Sequence, residues 1–505
     1  MKKGDDNQTT KERRNFLPLL LIAFFLLRII SWATAELWYD EVLSLQLFVL
    51  KYENIAGIFR DYCIANNHFL ANAIEWLWTR LCPLALGSEF ALRIPAILCG
   101  IGTLLVAYLQ WRKWLGEKVA FCTGLLMAAS PVFAAFAYQM RGYSLAMLLS
   151  TCAVTALMHR FEKATWRNFT ALFLSSLALP LVMPSAAMLP AALVASTGLN
   201  VLTKASKTPQ TLLKQLQNGF VTAAPAIAGA LLGVLYYGTL WAEFQRARAE
   251  SGGWESSLLV AGHLLLAFAL HLSIFIWPLA KALFSKNPKA PLAGNLFWGV
   301  VISATAVLLV PSPVNRAPFP RVFLPLLPML TFAAALTVKS SERLSAMHFK
   351  KLAILTLLPG LIIGILGDLL TARQLDTREI LPQNLLQQYY RGNNPCSLNM
   401  SRLTNATQRR LILVNASDVP AFSFYWQIYG GAATNNAFDV PPYMPGNIKL
   451  QSLETVRNLH YDIAVFARTE NEARSILQLQ GLPQDAALSA PPVIEHRTLF
   501  TLEGR

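Results

Sequence analysis

Asp40 and Glu41 stand side by side behind Trp38 and Tyr39, directly after a long apolar stretch. A carboxylate there can take a proton from an acceptor hydroxyl or amine. It can equally supply oxygen ligands to a divalent metal, with Asp40 the first candidate. Adjacent residues point in different directions, so the two acids cannot act as a matched pair from one helix face. One acts and the other orients it. An acidic pair is also what a helix start or a solvated loop carries, so alone it has low specificity.

Further polar groups follow at intervals. Asn66, Asn67 and His68 cluster in the same region, and the histidine can donate to a phosphate or orient a carboxylate. Arg141 and Tyr143 open a later apolar stretch, and Arg316 and Arg321 precede another. Arginines at an apolar boundary can grip a lipid phosphate bidentately or simply snorkel to headgroups. Arg93 can pair with an acid of the first loop or touch substrate, whereas Arg28, His263, His271 and Asp368 lie within apolar stretches with no evident relay.

The elements that hold these residues follow from composition. The chain has 505 residues, 54% of them hydrophobic and 14% charged. About 25% charged is ordinary for a soluble domain. Collagen, disorder and a disulfide scaffold are excluded, and a polytopic membrane protein is the natural class. A spanning helix takes about 20 apolar residues, and about eleven stretches qualify. They lie near 16–35, 90–110, 119–138, 142–158, 168–183, 186–203, 220–240, 257–280, 292–310, 322–338 and 352–371. Pro180, Pro184 and Pro190 interrupt the fifth and sixth, which could be a broken pair.

Charge orients the chain. With the N-terminus cytoplasmic, every cytoplasmic loop is basic: Arg112, Lys113 and Lys118; Arg160, Lys163 and Arg167; Lys204, Lys207 and Lys214; Lys281, Lys286 and Lys289; Lys339, Arg343, Lys350 and Lys351. This is the positive-inside pattern. The formal net charge of +15 is therefore topological and is no sign of nucleic-acid binding. The first apolar stretch is expected to stay as an anchor, since it is long and lacks a small-residue cleavage site.

Two domains are expected. Residues 1–371 form the transmembrane domain, whose external loop 36–89 carries an aromatic amphipathic stretch (Ile74, Trp76, Leu77, Trp78, Leu81) suited to the interface. Residues 372–505 read as an extracytoplasmic α/β domain, with buried strands at Leu411–Val414 and Ile463–Phe466, each followed by a helical pattern, Val419–Tyr429 and Glu470–Leu479. Cys99, Cys122 and Cys152 fall in spans; Cys63, Cys82 and Cys396 do not. A Cys63–Cys82 disulfide is open in an oxidising compartment. The chain shows no metal-type Cys/His spacing, nucleophile elbow, Walker loop or nucleic-acid module.

Taken in order, the outer-face features resemble the GT-C glycosyltransferases, in the superfamily of protein O-mannosyltransferases and bacterial aminoarabinose (lipid A) transferases. The residues that carry the resemblance are Asp40 and Glu41; Asn66, Asn67 and His68; Ser88 to Pro95; Ser130 and Pro131; Arg141, Gly142 and Tyr143; and Arg321 to Pro325. It covers residues 15 to 160 well and the later spans loosely. Two departures stand out: Phe69 and Leu70 follow His68 where family members often have prolines, and Met140 precedes Arg141 where an acid is frequent.

The resemblance implies an inverting transfer of one sugar from a polyprenyl-phosphate donor to an extracytoplasmic lipid, glycan or protein acceptor, in a multi-pass inner membrane protein. Asp40 would be the base and Glu41 its support or an acceptor contact. Arg141 and Arg321 would bind the donor phosphate, and Asn67, His68 and Tyr143 would line the site. A divalent metal is left open. A lipid or lipid-linked-sugar transporter is expected to show paired half-helices or inverted repeats and midplane charges, which are not evident, although the Pro-rich fifth and sixth spans keep that alternative open. A non-catalytic membrane assembly or sensor protein would tolerate loss of both Asp40 and Glu41.

Overall fold

The computed structural model describes residues 3–35, 37–62, 67–205, 212–250, 256–285, 290–309, 317–372, 410–414, 424, 462–467, 470–479, 488–489 and 498–502. In chain order its helices are α1 (Lys3–Ala33), α2 (Tyr39–Ser44), α3 (Ile55–Arg60), α4 (Phe69–Leu81), α5 (Glu89–Leu92), α6 (Ile94–Leu115), α7 (Glu117–Ala129), α8 (Pro131–Ala137), α9 (Gly142–Glu162) and α10 (Trp166–Val182). There follow α11 (Met188–Ala205), α12 (Leu212–Leu235), α13 (Trp241–Glu250), α14 (Ser257–Leu272), α15 (Ile276–Leu283), α16 (Pro291–Leu309), α17 (Leu327–Ser340), α18 (Glu342–Ala346), α19 (Phe349–Ala372) and α20 (Glu470–Leu479). Four strands complete the list: β1 (Arg410–Val414), β2 (Asp462–Ala467), β3 (Leu488–Ser489) and β4 (Thr498–Leu502).

Among the described residues, eight helical stretches are long and apolar enough to cross a membrane: Phe16–Ala33, Ile94–Leu115, Gly142–Glu162, Pro184–Ala205, Leu213–Ala247, Ser257–Leu283, Pro291–Leu309 and Pro320–Ser340. The bent pair α7 and α8 would make a ninth. The two other stretches expected from sequence are also helical, as α10 of 17 residues and α19 of 24. The chain is thus a polytopic α-helical membrane protein.

Two compact units divide the chain, one made of Met1–Ala33, Ile58–Ile74 and Arg93–Tyr390, the other of Thr34–Gly57, Glu75–Leu92 and Arg391–Arg505. Within the first, α9 and the Pro320–Ser340 stretch are the most deeply enclosed spans, and α9 packs against the 3₁₀ turn Pro320–Leu326 that opens that stretch. Arg141 and Arg321 are carried at these two helix starts. Gly229 and Gly233 form a G-x-x-x-G face on α12 that meets α10: a Cβ at Gly229 would come within 2.4 Å of the Phe173 carbonyl oxygen. Only glycine lets the two backbones approach so closely.

Helix ends inside this unit are closed by side chains. Arg93, 0% exposed, donates Nη1 to the carbonyls of Trp32 (3.2 Å) and Ala33 (3.0 Å), which end α1, and its Cζ lies 5.4 Å from the Tyr138 ring centroid. These contacts give Arg93 a role not expected from the sequence, a cap on the first span. It precedes α6, which starts at Ile94 because Pro95 suits a first turn.

The stretch 119–138 is not one straight span. It bends by 69° between Ala129 and Pro131, since Pro131 has no N–H to continue the ladder and Ser130 caps the second piece by accepting from the Phe133 N–H. His271 on α14 bridges this break to α17, with Nδ1 at 2.7 Å from Ser130 Oγ and Nε2 at 2.8 Å from Thr331 Oγ1. The Thr331 hydroxyl already donates to the Leu327 carbonyl, so His271 Nε2–H donates to Thr331 and its Nδ1 accepts from Ser130.

In the second unit the strands form a sheet of order β1-β2-β4-β3, with β1 parallel to β2 (Leu411 beside Ile463) and β4 antiparallel to both β2 and β3. Helix α20 packs on β1 and β2 through Ala473 and Leu477, four residues apart on one face. Both expected strands and the second expected helix are present. The helix expected over 419–429 lies outside the described residues apart from Phe424, which is buried.

Replacing Arg93 with methionine strips both α1 carbonyls of their donor in a buried place. The expected loss is about 3 kcal/mol, measured as a lower thermal midpoint of the detergent-purified protein; an unchanged midpoint would mean that α1 is closed by other groups.

Candidate active site

The loop before α4 is pinned from within. Asn67 is buried and donates Nδ2 to the carbonyls of Ile58 (3.2 Å) and Asp61 (2.6 Å), while its Oδ1 accepts from Asn72 Nδ2 at 2.9 Å. Both amide hydrogens and the carbonyl are therefore engaged in shaping the loop. An aromatic cluster braces it further: Phe69 stacks with Phe59 and meets Tyr236 and Tyr237, and Tyr62 meets Phe69, Tyr237 and Phe244. Tyr236 Oη donates to the Phe59 carbonyl, and the Tyr62 N–H donates to Glu243 Oε2 at 3.1 Å.

His68, 4% exposed, is the residue this loop presents. Its Nδ1 lies 3.1 Å from the carbonyl oxygen of Val182, the last residue of α10, and Arg141 Nη2 lies 2.8 Å from its Nε2. A carbonyl only accepts and a guanidinium only donates. Nδ1 therefore carries the proton, Nε2 offers its lone pair, and the ring is neutral. Burial, then the Arg141 charge, hold His68 well below the ordinary imidazole range; the Val182 carbonyl opposes this and the Arg321 charge adds to it. Arg321 is thus close enough to act on the same ring.

Tyr143 completes the group. Its ring meets His68 edge-on with centroids 5.5 Å apart, takes the Arg141 Cζ at 5.5 Å and packs against Phe136. Arg141 is 3% exposed and adopts an extended backbone (φ −147°, ψ 165°) just ahead of α9. The next residue must be glycine: a Cβ at Gly142 would stand 2.5 Å from His68 Nδ1 and 2.7 Å from Val182 Cγ1. Beside it, Gln139 donates Nε2 to the Ala135 carbonyl at 2.7 Å, while its buried Oε1 has no partner among the described residues. Arg321 lies with its Cζ 4.6 Å from the Phe319 ring.

In the second unit, α2 begins at Tyr39. Glu41 is fully buried, and its Oε2 accepts the Trp38 N–H at 2.7 Å, closing the helix start from the third position. Asp40 is half-buried in the same first turn, and its carbonyl accepts from Ser44 Oγ at 3.0 Å. Glu75 on α4 is buried with Oε2 unpartnered among the described residues, and burial followed by the Glu41 charge pushes its carboxyl well above the usual range.

A family model for dolichyl-phosphate-mannose-protein mannosyltransferases matches residues 70–228. No curated protein matches the chain. Among solved structures, ArnT from Cupriavidus metallidurans in the apo state is similar over 98% of this chain and 98% of that one, at 12% identity and a TM-score of 0.55. The same protein bound to undecaprenyl phosphate is similar over 96% and 97%, at 14% identity and a TM-score of 0.50. The chain has the GT-C fold.

On that fold His68 meets Arg141 and Tyr143 within one unit, although 73 residues separate His68 from Arg141, and the Arg321 charge is felt at the same ring. Asp40 and Glu41 fall in the other, with Glu41 in the helix-closing role that an acidic pair commonly takes. Asn67 stands beside His68 with its amide turned into the loop. Asn66, Cys63 and Arg316 lie outside the described residues, and Cys82, the other half of the Cys63–Cys82 bridge left open by the sequence, has a free thiol. No set of three or more His, Cys, Asp or Glu side chains suited to a metal occurs among the described residues. Glu75 is the residue that sequence reading missed; its signal is a lone acid on the polar stripe Asn72, Glu75, Thr79 of a helix whose Ile74, Leu77 and Leu81 are exposed.

Glu75 has a pH signature. Its raised carboxyl keeps a proton in the folded protein, so its contribution to stability is full below the unfolded carboxyl value of about 4.3 and is lost as pH rises toward the folded value. Glu75→Gln keeps the neutral form at every pH. The expected result is a thermal midpoint equal to wild type at pH 4 and above it at pH 8; equal midpoints at both would show that Glu75 is ionised in the fold.

Proposed function

We propose that the protein is an integral-membrane glycosyltransferase that moves a sugar from a polyprenyl-phosphate donor to an extracytoplasmic acceptor, with inversion. The observation that carries this reading is the pair Arg141 and Arg321 at the starts of the two most enclosed spans, Arg141 held by a buried His68 that also feels the Arg321 charge. Two guanidiniums so placed suit a phosphodiester that must be held and then neutralised as it leaves. The GT-C fold and the match to the mannosyltransferase family model support the same chemistry, and the ArnT structure with undecaprenyl phosphate bound supports a polyprenyl carrier.

The reaction needs little covalent help from the protein. Asp40 takes the proton from the acceptor hydroxyl or amine, the freed lone pair attacks the anomeric carbon, and the bond from that carbon to the phosphate oxygen breaks. The polyprenyl phosphate departs with the electron pair. Arg141 and Arg321 stabilise the charge that develops on it, which is the larger part of such catalysis. Glu41 holds the turn that carries Asp40. About eleven spans in the inner membrane, with the N-terminus cytoplasmic as its basic loops require, put Asp40 and residues 372–505 on the outer side, where an α/β domain meets the acceptor.

The test is sugar transfer from a labelled polyprenyl-phosphate donor by membranes holding wild type or Asp40→Asn. Loss of a general base costs about 10²–10⁴ in rate, so the variant should fall by that amount with donor binding kept. Undiminished transfer removes Asp40 as the base. Movement of the lipid-linked sugar across vesicles with no glycosidic product would make the protein a transporter.

A further inference from the structure

The resemblance assigns His68 to the lining of the donor site, but the structure gives both ring nitrogens other work. Nδ1–H closes the end of α10 by donating to Val182, a carbonyl that the helix leaves without an intrahelical partner. Nε2 accepts from Arg141. A donated bond to a substrate phosphate would need a hydrogen on Nε2, and that position already faces a guanidinium. Arg141 and Arg321 bear on the ring, Tyr143 covers one edge, and a protonated ring would set a third cation against the two arginines. A neutral acceptor is different: it orders the Arg141 guanidinium and leaves its charge in place.

We propose that His68 is a positioning residue for Arg141, fixed as the neutral Nδ1–H tautomer between Val182 and the guanidinium, and that it neither donates to the donor phosphate nor transfers a proton. Arg141 is then the group that meets the phosphate. Gly142 belongs to the same device, since any side chain there would press on His68 Nδ1 and on Val182 at once. This rests on the transferase reading for its kinetic test, although its structural part does not.

Two amide substitutions separate the functions of the ring. An asparagine amide reaches about where Nδ1 stands and can donate to Val182, but it gives Arg141 no acceptor. A glutamine amide reaches about where Nε2 stands and can accept from Arg141, but it leaves Val182 without a donor. Positioning requires His68→Asn to raise the donor KM by about tenfold, the worth of one lost charge-assisted bond, with kcat changed less, and His68→Gln to restore KM to within about threefold of wild type. Gly142→Ala should raise KM as His68→Asn does, although His68 itself is intact. The pH profile of kcat/KM should be the same for wild type and His68→Gln. If His68→Asn is active and His68→Gln is not, the ring serves only to close α10 and the proposal fails. If both fail, and wild type has a pH limb that His68→Gln lacks, His68 moves protons and the proposal fails too.

A readout free of catalysis accompanies these. In the full-length protein in detergent with ¹⁵N-labelled histidine, the signal absent from His68→Gln should show a protonated Nδ1 and a lone-pair Nε2, unchanged down to pH 5. In nanodiscs, undecaprenyl phosphate should bind more weakly to His68→Asn than to wild type. A protein that transfers no sugar but shows this ring state and this binding loss keeps the positioning inference and drops the transferase reading. A charged ring at pH 6.5 overturns the inference even if transfer is found.

Discussion

A buried guanidinium needs acceptors for its hydrogens, and at Arg141 one of them is an imidazole nitrogen. The desolvation cost of an isolated cation is several kcal/mol even after the surroundings relax. A carboxylate would offset more of it but would cancel the charge. A neutral nitrogen offsets less and preserves the charge for a phosphate. Met140, the residue before Arg141, is buried and brings no charge of its own. Both features keep the region around Arg141 and Arg321 disposed toward anions. Everything that places His68 follows from this need: the Asn67 amide that ties the loop, the aromatic packing of Phe69 and Tyr62, and the missing Cβ at residue 142.

The same need for partners governs the backbone. In hydrocarbon, every N–H and C=O must be satisfied from within the protein, so each interruption of a helix requires a side chain. Arg93 closes α1, His68 closes α10, and Tyr237 Oη supports the same end of α10 by donating to the Pro180 carbonyl at 2.8 Å. At the break between α7 and α8, Ser130 caps the new helix while His271 holds the serine and ties it to Thr331. Histidine appears twice for one reason: a neutral imidazole offers one donor and one acceptor in opposite directions. His68 and His271 use opposite tautomers because their acceptors, a carbonyl and a threonine hydroxyl already committed to Leu327, lie on different nitrogens.

Much of the architecture could be read from residue order because the bilayer imposes length and apolarity on each span. Helices occupy all the stretches that hydropathy marks, and the one read at 119–138 is broken at Pro131 by a bend of 69°. The strands at 410–414 and 462–467 were legible as short runs of β-branched and aliphatic residues, and α20 as an amphipathic repeat. What could not be read was pairing. Arg93 read as a partner for an acid or for substrate, and the carbonyls that end α1 were not foreseen, since arginine donates to any of them. His68 and Arg141 are 73 residues apart, and no local pattern says that one accepts from the other. Glu75 was hidden for a different reason: α4 buries the polar stripe Asn72, Glu75 and Thr79 while Ile74, Leu77 and Leu81 are exposed, the reverse of what is usual on a soluble helix.

Arg141 and Arg321 are held by different means, and the difference bears on how an anion would be met. Arg141 is fixed by a hydrogen bond and an aromatic face at an extended residue before α9. Arg321 sits in a 3₁₀ turn bounded by Pro318, Pro320 and Pro325, with Phe319 beneath its guanidinium. Each proline removes backbone freedom that a bound lipid would otherwise have to remove, and each aromatic contact restricts a long side chain whose rotamers carry up to about 2 kcal/mol of entropy. A phosphate arriving from the bilayer would therefore meet guanidiniums that are already ordered, so more of its interaction energy remains available to the step in which the phosphate leaves.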